Sequence, residues 1–342
     1  MKNNVNFNFI LPSKTIFGEG TVKRVGGEAK KLSVKRVLIV TSRGMLKREA
    51  FRQLTRSLQD HKLSFEVFSD VDPEPLLEDV HNCSIRAKET RSELIIGFGG
   101  GSVMDVAKKA AADLRLRKIM VPTTAGTGSE VTHESVLKVN GKKKAFVDEE
   151  LTPDVAIVDP DLTKTMSPQL TASTGIDALA HSIECYESEK SNALAKAVAL
   201  SAFNLLKENI KKAIGGDEEA RLNMSMGSLM AGIALGNAGT ALAHALSYPL
   251  SNRGVPHGEA IAMVLPYALE FNGSDDAFVK GMIEVIKTIE PRWDLHWDIE
   301  EMAKEVMSDE RHLENNPRGV MFENVLNIFG RMEEVFQKGQ TV

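Results

Sequence analysis

Only two cysteines, Cys83 and Cys185, occur in the 342-residue chain, and they stand far apart. That excludes a disulfide framework and fits a reducing compartment. No uninterrupted apolar run reaches membrane-spanning length. The segment Met1 to Leu11 alternates Asn with Phe and Val, without an apolar h-region or cleavage site, so it does not read as a signal peptide. A cytoplasmic location without a membrane partner is the expectation. Charge of one sign is also scarce: the formal net charge is -5, the pI is near 6.0, and the longest basic cluster is Lys142-Lys143-Lys144. Nucleic acid is therefore not an expected partner. No internal repeat or low-complexity tract occurs.

What is present is the balance of a globular protein, with 42% apolar and 26% charged residues, in a chain long enough for two domains. The first half alternates strand-like with helix-like stretches. RVLIVT (36–41), 64–68, 94–98 and 119–121 read as strands, and 47–61, 80–90 and 103–114 as helices. This interleaving predicts a parallel sheet with helices on both faces. After a last strand over 155–159 the strand signal ends. The stretches 172–187, 194–214, 218–236, 261–271, 299–307 and 322–336 carry helical spacing, so an all-α second domain is expected. The boundary is placed near Thr163, giving domains 1–163 and 164–342.

Two loops suggest a dinucleotide. In ELIIGFGGGSVMDVA (93–107) a strand runs into three glycines, Ser102 and a helix. Glycines admit a ligand close to the backbone, and a helix start offers unpaired N–H groups to a pyrophosphate. A tight turn without a ligand would use the same residues, and the loop is no GxGxxG. A second polar loop, PTTAGTGSE (122–130), follows the next strand. Neighbouring strand ends in a doubly wound sheet are where ligands sit.

In TGIDALAHSIE, Asp177 and His181 are four apart and so share a helix face. His244 and His257 lie in AHALSYPL and VPHGEA. One Asp and three His form an N/O set able to hold Fe²⁺ or Zn²⁺ with a position open for substrate. Any one of these histidines alone is more often a packing or capping residue. His61, His81 and His312 sit in polar segments and are expected to be solvated, while His133 follows the second loop.

GGGSVMD, PTTAGTGSEVT, DVAIVDPDL, TASTGIDALAHSIE and AHALSYPL…VPHGEA, in this order, resemble the iron-containing (group III) alcohol dehydrogenase family. The resemblance runs from about residue 15 to 330. It implies an α/β N-terminal dinucleotide-binding domain and an all-α C-terminal domain, the architecture shared with dehydroquinate synthase, with the active site in the cleft between them. It places the metal on Asp177, His181, His244 and His257. Cofactor contacts fall on Gly100, Gly101, Ser102, Asp105, Thr123, Thr124, Thr127, Ser129 and Lys143. A homodimer is implied too. The N-terminal Phe7, Phe9, Ile10, Ile16 and Phe17 point the same way, reading as a strand with apolar residues on both faces that another edge must cover.

Departures from the family pattern exist. Many members carry a second histidine four residues after the third ligand, a candidate for proton transfer, where this chain has Tyr248. The segment between His244 and His257 is one residue shorter than in some relatives, and the chain ends earlier than typical members. At the end of the first strand, many NAD-preferring relatives have an aspartate where this chain has Ser42, followed by Arg43. Loss of that carboxylate predicts a preference for NADP(H), although Ser42 could equally cap the next helix. The expected chemistry is hydride transfer between NAD(P)(H) and a small alcohol or aldehyde, with the metal polarising the substrate oxygen. No Tyr-x-x-x-Lys stands at a plausible position for a metal-free base. Rival readings are a dehydroquinate synthase-like lyase, for which the helical half near the metal motifs offers only Arg253 close by to hold an acidic substrate, and a metal-free reductase or silent binding protein.

Overall fold

The computed structural model describes residues 6–12, 14–274, 283, 284, 286 and 297–337; the start of the N-terminal segment read above, before Asn6, lies outside them. The chain divides into two compact units, 10–166 and 167–342, the second including the segment that ends at Phe9.

In the first unit six strands form one parallel sheet: β1 (Lys14–Phe17), β2 (Arg36–Val40), β3 (Ser64–Phe68), β4 (Leu94–Gly99), β5 (Arg117–Pro122) and β8 (Val155–Val158). Their order is β1-β8-β5-β4-β2-β3. Strands β2, β4, β5 and β8 are near-continuous apolar runs because both faces are covered. Successive residues of β2 feed two separate cores. Val37 and Ile39 pack with Leu54 and Leu58 of α2 (Glu49–Asp60) and with α1 (Val25–Lys31). Leu38 and Val40 pack with Val80 of α3 (Leu77–Glu89) and with Met104 and Ala107 of α4 (Gly101–Asp113). The chain builds outward from β2 to β3, then crosses back to β4, so the winding direction switches between β2 and β4. A doubly wound sheet opens a ligand crevice beyond the carboxyl ends of such a strand pair.

An antiparallel hairpin, β6 (Glu134–Val139) and β7 (Lys142–Val147), was not anticipated. Its signal was Asn140-Gly141, both at positive φ (51° and 80°), between alternating residues. That is the strongest short-range hairpin cue, obscured here by three lysines that read as a solvated run.

The second unit is helical: α5 (Pro168–Glu187), α6 (Ala193–Ile214), α7 (Glu218–Ala238), α8 (Leu242–Asn252), α9 (His257–Asn272), α10 (Ile299–Met307), α11 (Glu310–Asn315) and α12 (Phe322–Gln337). Ser167, Asn192 and Asp217 cap α5, α6 and α7 by accepting backbone N–H bonds. Helices α5 to α9 and α10 to α12 share one apolar core. Close approach needs small residues: a Cβ on Gly227 would meet Leu206 at 2.7 Å.

The N-terminal segment is only partly a strand. Ile16 and Phe17 belong to β1, which pairs parallel with β8 of the same chain. Phe9 instead packs beside Cys185, Ala195, Ala199 and Ala234 in the helical unit.

Candidate active site

Both glycine-bearing loops leave adjacent strands of the α/β unit. After β4 the chain turns directly into α4, whose first N–H groups have no helical acceptor. After β5 the loop Thr123–Gly128 lies against it, with the Thr123 N–H donating to the Gly99 carbonyl (2.9 Å). Gly101 has to be glycine here, since a Cβ would stand 2.8 Å from Thr127 Cγ2, whereas one on Gly100 would meet Thr124 only at 3.6 Å. The Thr41 hydroxyl ties the end of β2 to β4 through the Phe98 carbonyl (2.7 Å). Ser42 follows, extended, and its hydroxyl makes no cap bond to the short helix after it. Arg43 is paired with Asp70 (Nη2–Oδ1 2.8 Å).

The residues singled out in these loops differ in what they hold. The Ser102 hydroxyl donates to the Pro73 carbonyl (2.6 Å). Asp105 accepts from the Ser129 hydroxyl (2.7 Å) and from the Val136 N–H (3.0 Å), so its carboxylate joins α4 to the second loop and to β6. The Lys143 ammonium lies 3.4 Å from Glu74. Sequence reasoning missed Lys108, which is fully buried. Its ammonium donates to the Ser129 carbonyl (2.9 Å), the Thr132 hydroxyl (3.1 Å) and the Glu134 carbonyl, beside Asp105.

Next to this lysine, burial pushes the Glu130 carboxyl up to about 7 from 4.5, against its own backbone N–H and Lys108. Between those two values the folded chain keeps a proton that the unfolded chain has released. The unfolded state therefore binds fewer protons, and stability falls as pH rises through that window, by roughly 3 kcal/mol in total. Glu130→Gln is expected to flatten the decline, and melting temperatures at pH 5 and pH 8 test it. Parallel profiles for variant and wild type would contradict the assignment.

In the helical unit Asp177 and His181 sit one turn apart in the middle of α5. His244 lies in the first turn of α8, and His257 is the first residue of α9. Gly258 lets α9 start against α5, because a Cβ there would be 2.6 Å from the Ser173 carbonyl oxygen. Asp177 Oδ1 is the centre of the cluster. It faces the Nε2 atoms of His181 at 3.6 Å, His244 at 3.7 Å and His257 at 3.6 Å. Asp177, His181 and His244 are buried, and His257 keeps 29% of its side chain exposed.

These separations are too long for hydrogen bonds. Asp177 Oδ1 and His244 Nε2 are buried without a hydrogen-bond partner. Two ligands each about 2.0–2.2 Å from one tetrahedral ion stand about 3.4 Å apart, close to the spacing found. Asp177, His244 and His257 form a mutually close ligand group, and His181 joins it through Asp177. Burial alone would raise the Asp177 carboxyl, but the three facing imidazoles hold it well below the usual carboxylate range. Burial likewise disfavours a charged His244, yet Glu184 and Asp177 push it up to about 9.

Glu184 was not singled out from the sequence, although its spacing from Asp177 and His181 continues the same face of α5. It accepts the Nδ1–H of His244 and the N–H of Ala243 (2.6 Å). The expectation for His312 needs correction. It is 4% exposed, and its Nδ1–H donates to Asp309 (2.6 Å). Its ring is near-parallel to His244 at 6.2 Å and edge-on to Tyr248 at 5.4 Å. The short helix α11 turns a polar segment inward. Half-buried Tyr248 lies 6.4 Å, ring to ring, from His257. Arg253 is already held by Glu305 (2.8 Å) and Glu301 (3.3 Å). His61, which donates to the Ser57 carbonyl (2.8 Å), is half-buried, and His81 is exposed.

Comparison with known proteins gives a consistent result. Residues 12–160 match the family described as iron-containing alcohol dehydrogenase, and residues 171–290 match the C-terminal part of the Fe-containing alcohol dehydrogenase family. The chain is 38% identical over 286 residues to long-chain-alcohol dehydrogenase 1 of Geobacillus thermodenitrificans, covering 77% of this chain and 72% of that protein. It is 33% identical over 288 residues to the NAD-dependent methanol dehydrogenase of Bacillus methanolicus, covering 78% and 76%. The crystal structure of an iron-containing alcohol dehydrogenase from Thermotoga maritima superposes with a TM-score of 0.87 at 32% identity, over 96% of this chain and 99% of that one.

Proposed function

The chain belongs to the iron-containing alcohol dehydrogenase family, and on that premise we propose that Asp177, His181, His244 and His257 hold its divalent metal and that the two glycine-bearing loops hold its nicotinamide cofactor. As a member it is an oxidoreductase acting on CH–OH groups, with Fe²⁺ and a nicotinamide dinucleotide as cofactors, and the lyase alternative is not favoured. The observation that carries the ligand assignment is the buried Asp177 oxygen facing three imidazole nitrogens without a hydrogen bond. Zn²⁺ suits the same donors. Bound there, the metal would supply Lewis acidity toward a substrate oxygen, and the nicotinamide would supply the hydride donor or acceptor.

The chain's own residues position these groups. Gly100, Gly101 and the first-turn N–H groups of α4 receive the pyrophosphate. The hydroxyls of Thr123, Thr124, Thr127 and Ser102, with Lys143, line the remainder of the cofactor. Asp105 acts through Ser129, whose hydroxyl it orients. The alcohol proton's route runs through the cofactor ribose and water, with Tyr248, 6.4 Å ring to ring from His257, as a participant. The dinucleotide is assigned to the α/β unit, 10–166, and the metal and substrate to the helical unit, 167–342. The substrate is a small alcohol or aldehyde. A panel of both classes with both nicotinamides, on metal-reconstituted enzyme, tests the reading; no turnover with any pair would refute it.

NADP(H) is the proposed coenzyme. The support is Ser42, which brings no carboxylate and has a hydroxyl unspent on capping. Arg43 would exchange Asp70 for the 2′-phosphate. A preference of at least about tenfold in kcat/KM needs only about 1.4 kcal/mol. Ser42→Asp is expected to reverse it, and an unchanged NADP/NAD ratio would remove Ser42 from the argument. We further propose a cytoplasmic homodimer. Cys83 and Cys185 are both buried and are not joined in a disulfide, and β1 is an edge strand with one side unpaired among the described residues. Light scattering at micromolar concentration checks the assembly, and a monomer would contradict it.

A further inference from the structure

Glu184 is a buried carboxylate of α5 that bonds two donors at the start of α8, and one of them is the ring of His244. Those contacts do different things. The bond from Ala243 N–H satisfies an orphan donor of the α8 first turn. The bond from His244 Nδ1–H decides which ring nitrogen carries the proton. With Nδ1 as donor, the neutral ring presents the lone pair of Nε2, the atom that faces Asp177 Oδ1 at 3.7 Å. We propose that Glu184 is the positioning residue of the metal site. It locks the His244 tautomer and ring plane for metal binding. The inference rests on the ligand assignment above.

The geometry makes this more than a helix cap. A cap needs an acceptor only, and any carboxylate, amide or hydroxyl of suitable reach supplies one. Glu184 also shares its helix with Asp177 and His181, so α5 provides two proposed ligands and orients a third borne by α8. A rigid helix face is a precise way to hold all three in register. Substitution by glutamine keeps size and acceptor but adds an NH₂. Ala243 N–H and His244 Nδ1–H bond separate oxygens of the carboxylate, and glutamine replaces one of these with an NH₂, so one donor must turn away or His244 must move its proton to Nε2, which then cannot ligate.

The test is metal affinity, read by competition with a chelator for Zn²⁺, in wild type and Glu184→Gln. Circular dichroism and a thermal melt on the same samples report the fold. Loss of an outer partner of this kind typically costs about 10–100-fold in affinity. That loss is expected in Glu184→Gln with the helical signal retained, and Glu184→Asp is expected to recover part of it. A folded Glu184→Gln binding Zn²⁺ within about twofold of wild type would overturn the inference while leaving the ligand assignment intact. A wild type that takes up no divalent metal would overturn both. Selective ¹⁵N-histidine NMR of zinc-loaded wild type gives a reading independent of variant folding. The Nδ1–H form of His244 is expected, and the Nε2–H form would overturn the role.

Discussion

Asp177→Ala is expected to abolish stoichiometric metal binding and to lower kcat/KM by about three orders of magnitude. Lewis-acid assistance is worth several kcal/mol, and each 1.4 kcal/mol is about tenfold in rate. Asp177 offers the anionic oxygen among the proposed ligands, and it faces all three imidazoles at 3.6–3.7 Å. The remnant would be three neutral nitrogens. Alanine favours the helix, and Asp177 Oδ1 makes no hydrogen bond that the fold would lose, so α5 should survive. His257→Ala should act in the same direction, because it removes the partly exposed member of the set. Metal analysis and steady-state kinetics on each purified variant decide the matter. Stoichiometric metal with near-normal turnover in either one would sink the ligand assignment.

Lys108→Met is expected to destabilise the α/β unit by about 3–5 kcal/mol, the usual cost of leaving one member of a buried ion pair unmatched. Methionine fills similar space, so the loss should come from polar groups rather than a cavity. Asp105 would keep its Ser129 and Val136 bonds but lose its cation, and the carbonyls of Ser129 and Glu134 would each lose the ammonium as a donor. At roughly 2–4 °C per kcal/mol for a unit of this size, the melting temperature should drop by about 10 °C. Because the same contacts hold the second loop, the dissociation constant for the nicotinamide cofactor should rise as well. A melting temperature within about 2 °C of wild type would show that the lysine is no staple. Differential scanning calorimetry with a cofactor titration covers both readings.

Some of this architecture could be read without coordinates. The runs RVLIV and LIIGFG are apolar at every second position and between, as strands covered on both faces must be, and helical spacing of 3.6 marks α2, α4 and α6. The glycine-to-helix junction at Gly99–Ser102 was legible because backbone approach leaves a residue-type signature. Asp177 and His181 were legible as a pair because one helix turn relates them. Glu184 was open to the same reasoning. Its spacing was in plain view, but a glutamate near the end of a helix resembles any solvated one until a partner is known.

Other features depended on contacts that no local spacing encodes. Lys108 reads as the polar face of an amphipathic helix, yet β6 and the second loop fold over it and put its ammonium among carbonyls. His312 looked solvated because Glu310–Asn315 is polar, while packing of α11 against α8 carries it inward. The sequence by itself determined the alternation of strands and helices in the first half, the two classes of unit and the residue types able to hold a metal and a dinucleotide, since periodicity and side-chain chemistry are local properties. Only the tertiary structure decided that His244 and His257, on separate helices, meet at one oxygen of Asp177. Periodicity states which way a side chain points from its own axis. The distance between two axes is set by what packs between them, and here that includes a glycine at 258 pressed against Ser173.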